Sequence, residues 1–546
     1  MNSAPKPLQT IAMNRTSWML VAIVFFTAAV RLPWLGAPLE RDEGEYAYIG
    51  WRLGFHELPY RDWVDQKPPA IFWAYRSALS LPLESVRAIH VLALMFSAGS
   101  ACAVFFLAHR FLTGFGAFAA AALFTLLSAD PLAQGTAANT EVFMELPLLL
   151  SMLAFFAATK EERHRTGLAF LCGVLVGVAT TFKQVAAPQW VLLVLLFPVF
   201  VGGQGRWRGM LAFALSSAAG VAAVWGVVVI YFYTQHGLRA LIDNVFIHNF
   251  AYVQAVSWNA RMRYCLKTLK SLSDSQGVSW LLSVIGLLMV ARKRRWEWFL
   301  FLAGWFVASA LGVGASGYFF PHYFQQLIPV VAICAACGAE AATEFLKTVR
   351  KGVRYGILCV VLFLPPVLTV SSFLLVGNSE DVIRIIYPEQ FFSEMPLVGK
   401  RIAEVTQPTD RVFIFGAEPE VLFYARRASA SRYIFVYPLF GPYANAHEKQ
   451  VEAAKEISQA APATAVYMQT GGYIILPGSD LFFGQWSRTY IDSHFRLDSV
   501  LAANSTGIAQ IIPAAARPGD SNTLREIALI TVAKSTNPPP APRDFP

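Results

Sequence analysis

The sequence predicts a polytopic α-helical membrane protein that ends in a soluble α/β domain. Hydrophobic residues make up 55% of the 546-residue chain and charged residues 14%, and the mean hydropathy is +0.47. A soluble chain of this length cannot bury so large an apolar fraction. Apolar runs of about 20 residues, the length that spans the hydrocarbon core, recur up to residue 376, and the hydropathy falls beyond it.

About eleven segments are predicted as membrane-spanning helices from their length and apolar composition. They lie near residues 16–35, 86–108, 112–131, 142–159, 166–184, 187–203, 209–233, 277–291, 297–315, 321–342 and 355–376. Basic residues collect in alternate short loops, so the net charge of +9 is interpreted as a topology signal rather than a nucleic-acid surface. The positive-inside rule places those loops and the N-terminus in the cytoplasm, and the loops 36–85 and 235–276 and the C-terminal region outside.

Residues 1–376 are therefore predicted as the transmembrane domain, and residues 377–521 as a soluble domain with a partly parallel sheet. The β-like runs of the soluble domain are "RVFIFG" (411–416), "RYIFV" (432–436) and "TAVYMQT" (464–470), and helical stretches lie at 418–427 and 444–460. The tail, residues 522–546, is partly rich in proline and is predicted to be disordered.

A charged stretch, "RDEGEYAYIGWRLGFHELPYRDWVDQKPP" (41–69), directly follows the first apolar segment. Its first part, residues 42–55, is predicted as a short helix at the membrane interface, with an aromatic face suited to that boundary. On such a helix Asp42 and Glu45 share one face, and Glu43 points about a quarter turn away. We interpret Glu45 as a solvated charge of the loop.

Asp42 and Glu43 lie within a turn or two of the first predicted membrane helix, where a carboxylate is costly unless it has a function. A raised carboxyl pKa at this place would suit a general base. Lys67 precedes Pro68 and Pro69, which favour an extended backbone, so its cation is fixed where the chain re-enters the membrane. Together with the acids this cation predicts a phosphate site; the alternative is a lysine that snorkels to the interface.

These motifs carry a family resemblance. "RDEGEYAYIG" and "DWVDQKPPAIFW" resemble the first outer loop of bacterial membrane glycosyltransferases of the GT-C fold, the family of protein O-mannosyltransferases and aminoarabinose transferases. "AQGTAANTEVFMELPLLL" (133–150) resembles the second outer loop of that family. "GYFFPHYFQQLIP" (317–329) and "DRVFIFGAEPEVLFYARR" (410–427) resemble bacterial members that end in a soluble domain.

The resemblance implies that a sugar passes from a polyprenyl-phosphate donor in the bacterial inner membrane to a lipid, glycan or protein acceptor on the periplasmic face of the cell envelope, with inversion. It implies Asp42 as general base, Glu43 as a neighbour that tunes its pKa or binds metal or acceptor, and Lys67 as a ligand of the leaving phosphate. Metal-dependent members show an Asp-x-Asp-like pair, which the run Asp42-Glu43-Gly44-Glu45 lacks. No cofactor is therefore predicted, and a divalent metal is left open.

Four further residues are candidates for substrate binding. Glu141 matches the acid of the second outer loop and is expected to support the acceptor or a cation; the alternative is a charge that suits a helix N-terminus. Lys183, at the outer end of its helix, is a second candidate for the carrier phosphate, with snorkelling as the alternative. His322 and Tyr323 are expected to hydrogen-bond phosphate or sugar, unless this pair is structural.

Two other classes of protein are compatible with parts of the sequence. A transporter or flippase of lipid-linked sugars would need polar residues at the midplane of several helices, whereas most charges here lie at helix ends. A structural or adhesive membrane protein would account for the outer domain but not for the acid pair and the Lys-Pro-Pro turn. In an enzyme, the outer domain is a candidate for acceptor selection. The sequence therefore favours an enzyme, with the flippase as the alternative, and it names neither the sugar nor the acceptor.

Overall fold

The computed structural model describes residues 14–388, 390–443, 445–468, 478–503, 509–514 and 528–536. Up to Leu374 the regular structure of these residues is helical. The helices are α1 (Arg15–Arg31), α2 (Arg41–Arg52), α3 (Ala70–Ala78), α4 (Ser85–Ala108), α5 (Gly114–Ser128), α6 (Thr140–Lys160), α7 (Arg165–Phe182), α8 (Ala187–Phe200), α9 (Arg206–Thr234), α10 (Leu238–Ile242), α11 (Asn249–Gln254), α12 (Trp258–Arg292), α13 (Trp296–Gly314), α14 (Ile328–Phe345) and α15 (Lys351–Leu374). Short 3₁₀ helices lie at Leu32–Trp34, Leu53–Phe55, Pro131–Ala133, Gln184–Ala186 and Pro321–Leu327, and a π-helix lies at Asp243–His248.

The chain is a multi-pass membrane protein. Among the described residues, nine helices are long and apolar enough to cross a membrane, and each of them overlaps a predicted segment. The other two predicted segments are shorter apolar helices, Gly114–Ser128 and Gln184–Phe200. Because a shorter helix spans the hydrocarbon core only where the surroundings allow it, the count of eleven crossings stays a prediction.

The stretch 235–276, predicted as a long loop, is mostly helical. It contains α10, the π-helix, α11 and the first half of α12, which is 35 residues long. The side chain of Ser257 caps α12 by accepting a hydrogen bond from the amide of Ala260 at 3.3 Å. At 1.5 Å per residue α12 is about 50 Å long, so it extends well beyond the thickness of the hydrocarbon core.

The C-terminal domain combines helices with a mixed sheet. Its elements are α16 (Ser379–Ile386), α17 (Met395–Val405), β1 (Arg411–Phe415), α18 (Glu420–Ala425), β2 (Ala428–Ser429), α19 (Ala446–Ala460), β3 (Thr464–Met468), α20 (Phe482–His494), β4 (Phe495–Ala503), β5 (Ala509–Pro513) and β6 (Ala528–Ser535). The strand order is β2-β1-β3-β6-β4-β5, with β2, β1 and β3 parallel and the remaining pairs antiparallel. The predicted α/β domain with a partly parallel sheet is thus confirmed.

Two details of that domain were predicted wrongly. The run 432–436 forms a bent, irregular segment instead of a strand, and its apolar residues Ile434 and Val436, both 1% exposed, serve packing rather than strand pairing. Strand β6 lies beyond the predicted boundary at residue 521 and pairs with both β3 and β4, so it is neither outside the domain nor disordered. Residues 469–470 of the third predicted strand and residues 537–546 of the proline-rich tail lie outside the described residues.

The C-terminal domain covers the segment that contains α2. The amide of Ser429 donates to the hydroxyl of Tyr48 at 2.9 Å, and the amide of Val64 donates to the carbonyl of Arg432 at 3.0 Å. Tyr46 and Tyr48 are 0% exposed, so α2 is buried between the bundle and the domain. Tyr48 therefore fills an interior that is closed by a residue 381 positions away, which corrects its predicted place at the membrane boundary. Trp51 is half-buried and Phe55 is 55% exposed, so for these two rings the boundary position stays a prediction.

Candidate functional site

The start of α2 fixes the position of Asp42. The side chain of Glu40 accepts from the amide of Glu43 at 3.2 Å, and the carboxylate of Glu43 accepts from the amide of Glu40 at 3.1 Å, which is a reciprocal capping box. Asp42 therefore lies in the first turn, and Glu45, three residues on, lies on the same face. The ammonium nitrogen of Lys67 is 3.6 Å from Asp42 Oδ1 and 3.6 Å from Glu45 Oε2.

The backbone around Lys67 is pinned on both sides. Its amide donates to Asp65 Oδ1 at 2.8 Å, and its carbonyl accepts from the hydroxyl of Tyr60 at 2.6 Å. Pro69 is the residue that precedes the first turn of α3. Because the chain cannot continue as a helix through the two prolines, the side chain of Lys67 starts from a fixed point and reaches the acids of α2.

A second ion pair lies beside the first. Glu141 is in the first turn of α6, Lys183 directly follows α7, and the two side chains form an ion pair because these neighbouring helices run antiparallel. The ammonium nitrogen of Lys183 lies 3.8 Å from the centre of the Tyr323 ring, a cation–π contact. His322 Nε2 is 4.0 Å from Asp42 Oδ2. The structure thus brings all the predicted site residues except Glu43 to one place.

Glu43 faces away from this cluster. One carboxylate oxygen accepts from the amide of Ala138 at 2.6 Å and contacts His90 Nε2 at 2.9 Å, and the other serves the capping box. Glu43 is 2% exposed and joins α2 to α4 and to the segment before α6. This position corrects the expectation that Glu43 accompanies Asp42 in the catalytic cluster, since both of its oxygens are used to hold helices together.

Two acids of the cluster were missed by the sequence analysis. Glu45 is 3% exposed and Asp65 is 1% exposed, so the interpretation of Glu45 as a solvated charge is wrong. The three-residue spacing from Asp42 to Glu45 is the signal that identifies it, because both carboxylates then face one cation. Asp65 has a weaker signal, an acid two residues before Lys67 that accepts from its amide.

The charges in the cluster set opposite pKa directions for its acids. Burial, together with the charge of Asp65, raises the pKa of Glu45 well above its usual value. Burial also acts to raise the pKa of Asp42, but the cations around it, Lys67 first, hold that pKa below its usual value. The expected raised pKa of Asp42 is thus wrong in sign. Asp42 is ionised at neutral pH and available to accept a proton.

A cavity of about 500 Å³ adjoins the two lysines. Lys67, Lys183 and Tyr323 line its charged side. Its other walls include Phe250, which is 71% exposed, and Leu311 of α13, which is 61% exposed. These exposed apolar side chains belong to the outer surface of the bundle, so the cavity connects an apolar surface with the buried cations.

In the described part of the chain, no group of three or more His, Cys, Asp or Glu side chains is arranged to hold a metal ion.

Residues 66–216 match the model of the dolichyl-phosphate-mannose-protein mannosyltransferase family, and no curated protein matches the chain. The fold resembles the crystal structure of ArnT from Cupriavidus metallidurans bound to undecaprenyl phosphate, with a TM-score of 0.55, 14% identity, and coverage of 92% of this chain and 100% of that chain. It also resembles the apo oligosaccharyltransferase of Archaeoglobus fulgidus, with a TM-score of 0.52, 12% identity, and coverage of 92% and 74%.

The chain has the GT-C fold. The resemblance inferred from the motifs is confirmed at this level, since a segment matches the mannosyltransferase family model and the whole architecture matches ArnT. In this GT-C fold the matched segment contains Lys67, Glu141 and Lys183, whereas Asp42 and the C-terminal domain lie outside it. The role of Asp42 therefore depends on the geometry of this chain and not on the family match.

Proposed function

We propose that this protein is an inverting glycosyltransferase that moves a sugar from a polyprenyl-phosphate donor to a lipid, glycan or protein acceptor on the outer face of the membrane. Asp42 is the general base, and Lys67 and Lys183 bind the phosphate of the donor. The observation that carries the proposal is the cavity of about 500 Å³, which runs from exposed apolar side chains to Lys67, itself 3.6 Å from Asp42.

The cavity suits an amphipathic ligand with an anionic head. An isoprenoid chain lies in the apolar interior of the membrane and matches Phe250 and Leu311, because both are apolar and exposed on the bundle surface. A phosphate at the other end meets two ammonium groups, which form charge-assisted hydrogen bonds with its oxygens. The ArnT structure from Cupriavidus metallidurans has undecaprenyl phosphate bound, which is a ligand of this chemical class.

In the proposed reaction an acceptor hydroxyl oxygen attacks the anomeric carbon of the donor sugar and forms the new C–O bond. The bond between that carbon and the phosphate oxygen breaks, and the polyprenyl phosphate leaves with the electron pair. The proton of the acceptor hydroxyl passes to the ionised carboxylate of Asp42. A phosphate leaving group needs charge neutralisation more than protonation, which assigns the two lysines to it.

The remaining residues of the cluster act through these groups. Glu141 pairs with Lys183 and holds its ammonium beside Tyr323. Glu45 contacts the ammonium group of Lys67 and limits the directions in which it can point. His322, with Nδ1 at 2.6 Å from Gln134 Oε1, is positioned to contact the sugar or the phosphate.

The decisive experiment uses membranes that contain the overproduced full-length protein. Undecaprenyl-phosphate mannose and undecaprenyl-phosphate aminoarabinose, each with a labelled sugar, are supplied together with an envelope extract. We expect one donor to lose its label to the extract while undecaprenyl phosphate is released. Asp42→Asn is expected to lower the rate by about 10²- to 10⁴-fold, the usual contribution of a general base. The matched control is Asp274→Asn, at an exposed acid of α12.

Two results would overturn the proposal. If Asp42→Asn transfers sugar at the rate of Asp274→Asn, the base is another group. If neither donor is consumed but labelled lipid changes leaflet, which added periodate detects on one face, the protein moves lipid-linked sugars and the flippase alternative replaces the enzyme.

A further inference from the structure

The turn 416–420 of the C-terminal domain packs against the first turns of α2, the helix that carries Asp42. Gly44 lies at this contact: a Cβ atom there would be 2.7 Å from the Cα and 2.8 Å from the amide nitrogen of Glu420. Side chains do not approach backbone atoms so closely, so only glycine permits the contact. A glycine inside a helix costs about 1 kcal/mol relative to alanine, and the close approach of Glu420 is the packing reason for it.

Arg41, the residue before Asp42, reaches into the same turn. Its Nε donates to the carbonyl of Ala417 at 2.6 Å, and its Nη2 donates to Gln390 Oε1 at 2.6 Å and lies 3.4 Å from Glu418 Oε1. Glu418 is itself oriented, because its other oxygen accepts from the amide of Ala417 at 2.6 Å. A planar guanidinium with several fixed partners defines a position and not only a charge.

These contacts fix the chain on both sides of Asp42 in the sequence. The residue before it is bonded to the C-terminal domain, and the residue two positions after it is pressed on Glu420. Of the two lysines, Lys183 pairs with Glu141 of α6, and Lys67 pairs with Asp42 and Glu45 of α2. The turn therefore holds the helix of the base, whereas Lys183 is held by an acid of α6 and the backbone of Lys67 is held by Asp65 and Tyr60.

We propose that the turn 416–420 is a positioning element that sets where Asp42 points during sugar transfer, an inference that rests on the function proposed above. A displacement of about 1 Å at a reacting group lowers a rate by as much as ~10²-fold. Losing the contact should therefore slow turnover. Donor binding should be retained, since Lys183 and its partner Glu141 lie outside α2 and the backbone of Lys67 is fixed by Asp65 and Tyr60. This role differs from acceptor selection, the role expected for the domain from the sequence.

The test compares two glycines of the same segment. Gly44→Ala adds a methyl group where no space exists, and Gly36→Ala adds the same group where, beyond its chain neighbours, the nearest atom of the described residues is Arg87 Nε at 3.9 Å. With the full-length protein in nanodiscs, we expect Gly44→Ala to lower kcat by about 10- to 100-fold and to leave the KM for the donor and the affinity for undecaprenyl phosphate within about threefold. Gly36→Ala should match the wild type in all three quantities.

A second variant acts through the other contact and adds no bulk. Arg41→Lys keeps the positive charge but removes the Nε that donates to Ala417 and the fork that reaches Gln390. We expect the same division, a lower kcat with an unchanged donor KM. A generally misfolded protein would lose binding of undecaprenyl phosphate as well, which separates that outcome from the one expected.

The outcomes distinguish this inference from the proposed function. If the wild-type protein neither binds undecaprenyl phosphate nor consumes either donor, the proposed function fails and the inference fails with it. If the wild type is active and Gly44→Ala has the kcat of Gly36→Ala, only the positioning role is overturned. An equal loss of kcat and of undecaprenyl phosphate affinity in both Gly44→Ala and Arg41→Lys would also overturn it.

Discussion

At the scale of one residue, a substitution of Lys183 tests whether its ammonium group binds the phosphate of the donor. A hydrogen bond to a charged group contributes about 1.5–3 kcal/mol, and 1.4 kcal/mol is tenfold in affinity. We therefore expect Lys183→Met to weaken binding of undecaprenyl phosphate by roughly 10- to 100-fold, measured by native mass spectrometry in nanodiscs. Lys270→Met, at an exposed position of α12, is the matched control and should bind as the wild type does.

The single variant also leaves Glu141, which is 1% exposed, without its cation. Breaking a buried pair from one side destabilises a protein by about 3–5 kcal/mol, so a loss of binding has two possible causes. The double variant Glu141→Gln, Lys183→Met removes both charges. If it binds undecaprenyl phosphate like the wild type, Lys183 is not a phosphate ligand and the pair is structural.

The pH dependence of turnover tests Asp42 as the base. Asp42 accepts a proton only when ionised, so kcat falls as the pH falls through its pKa, which the neighbouring cations, chiefly Lys67, hold below the usual value against the effect of burial. Lys67→Met removes the largest of these attractions and leaves the burial, so the pKa of Asp42 rises. We expect the acidic limb of kcat against pH to move to higher pH in this variant. A limb at the same pH in both proteins would mean that another group titrates.

The residues of the site differ in how far the sequence reveals them. Asp42 and Lys67 can be identified from the sequence. Asp42 is a charged residue next to an apolar segment, and Lys67 is a charged residue directly before two prolines, and both placements are unusual. The burial of Glu45 is not visible, because the domain that covers α2 contributes residues such as Ser429, far along the chain. The wrong direction predicted for the pKa of Asp42 also comes from the folded structure, since Lys67 first, and then His322 and Lys183, lower that pKa against the effect of burial.

At the scale of the secondary-structure element, Glu43 connects helices, because its carboxylate joins α2 to α4 and to the segment before α6. Glu43→Gln replaces one of the two accepting oxygens, either the one that serves Ala138 and His90 or the one that serves the amide of Glu40, by an amide group that donates. At least one buried donor then loses its acceptor. We expect a loss of about 1–3 kcal/mol in the free energy of unfolding and a lower Tm in detergent. Asp42→Asn should lower transfer by about 10²- to 10⁴-fold and change the Tm less, because Lys67 keeps the carboxylate of Glu45 as a partner.

The opposite pattern would restore the original expectation for Glu43. If Glu43→Gln keeps the wild-type Tm and loses transfer to the extent that Asp42→Asn does, Glu43 acts in catalysis. An element is specified partly by local signals, such as the capping box that starts α2. Its partners are specified by residues distant in sequence, and this is why the helix was predicted but its surroundings were not.

At the scale of the whole molecule, the apolar helices were predictable and the docking of the two domains was not. Length and hydropathy identify a membrane helix without reference to its neighbours. Contacts between Gly44 and Glu420, or between Val64 and Arg432, follow no local pattern. The GT-C fold of this chain therefore combines a bundle that its composition specifies with a domain interface that only the assembled structure reveals.

Removal of strand β6 tests whether this strand holds the sheet of the C-terminal domain together. It pairs with β3 on one side, with Val466 opposite Val532, and with β4 on the other, with Val500 opposite Thr531. A chain that ends after residue 521 lacks β6, so β4 and β5 lose their connection to β3 and the edges of both halves are left unpaired. We expect this chain to lose protease resistance beyond residue 376 and to lose sugar transfer, because the C-terminal domain then no longer covers α2.

A chain that ends after residue 536 retains every strand of the described sheet and should behave as the full-length protein does. Equal protease resistance of the two truncated chains would mean that β6 does not hold the sheet together.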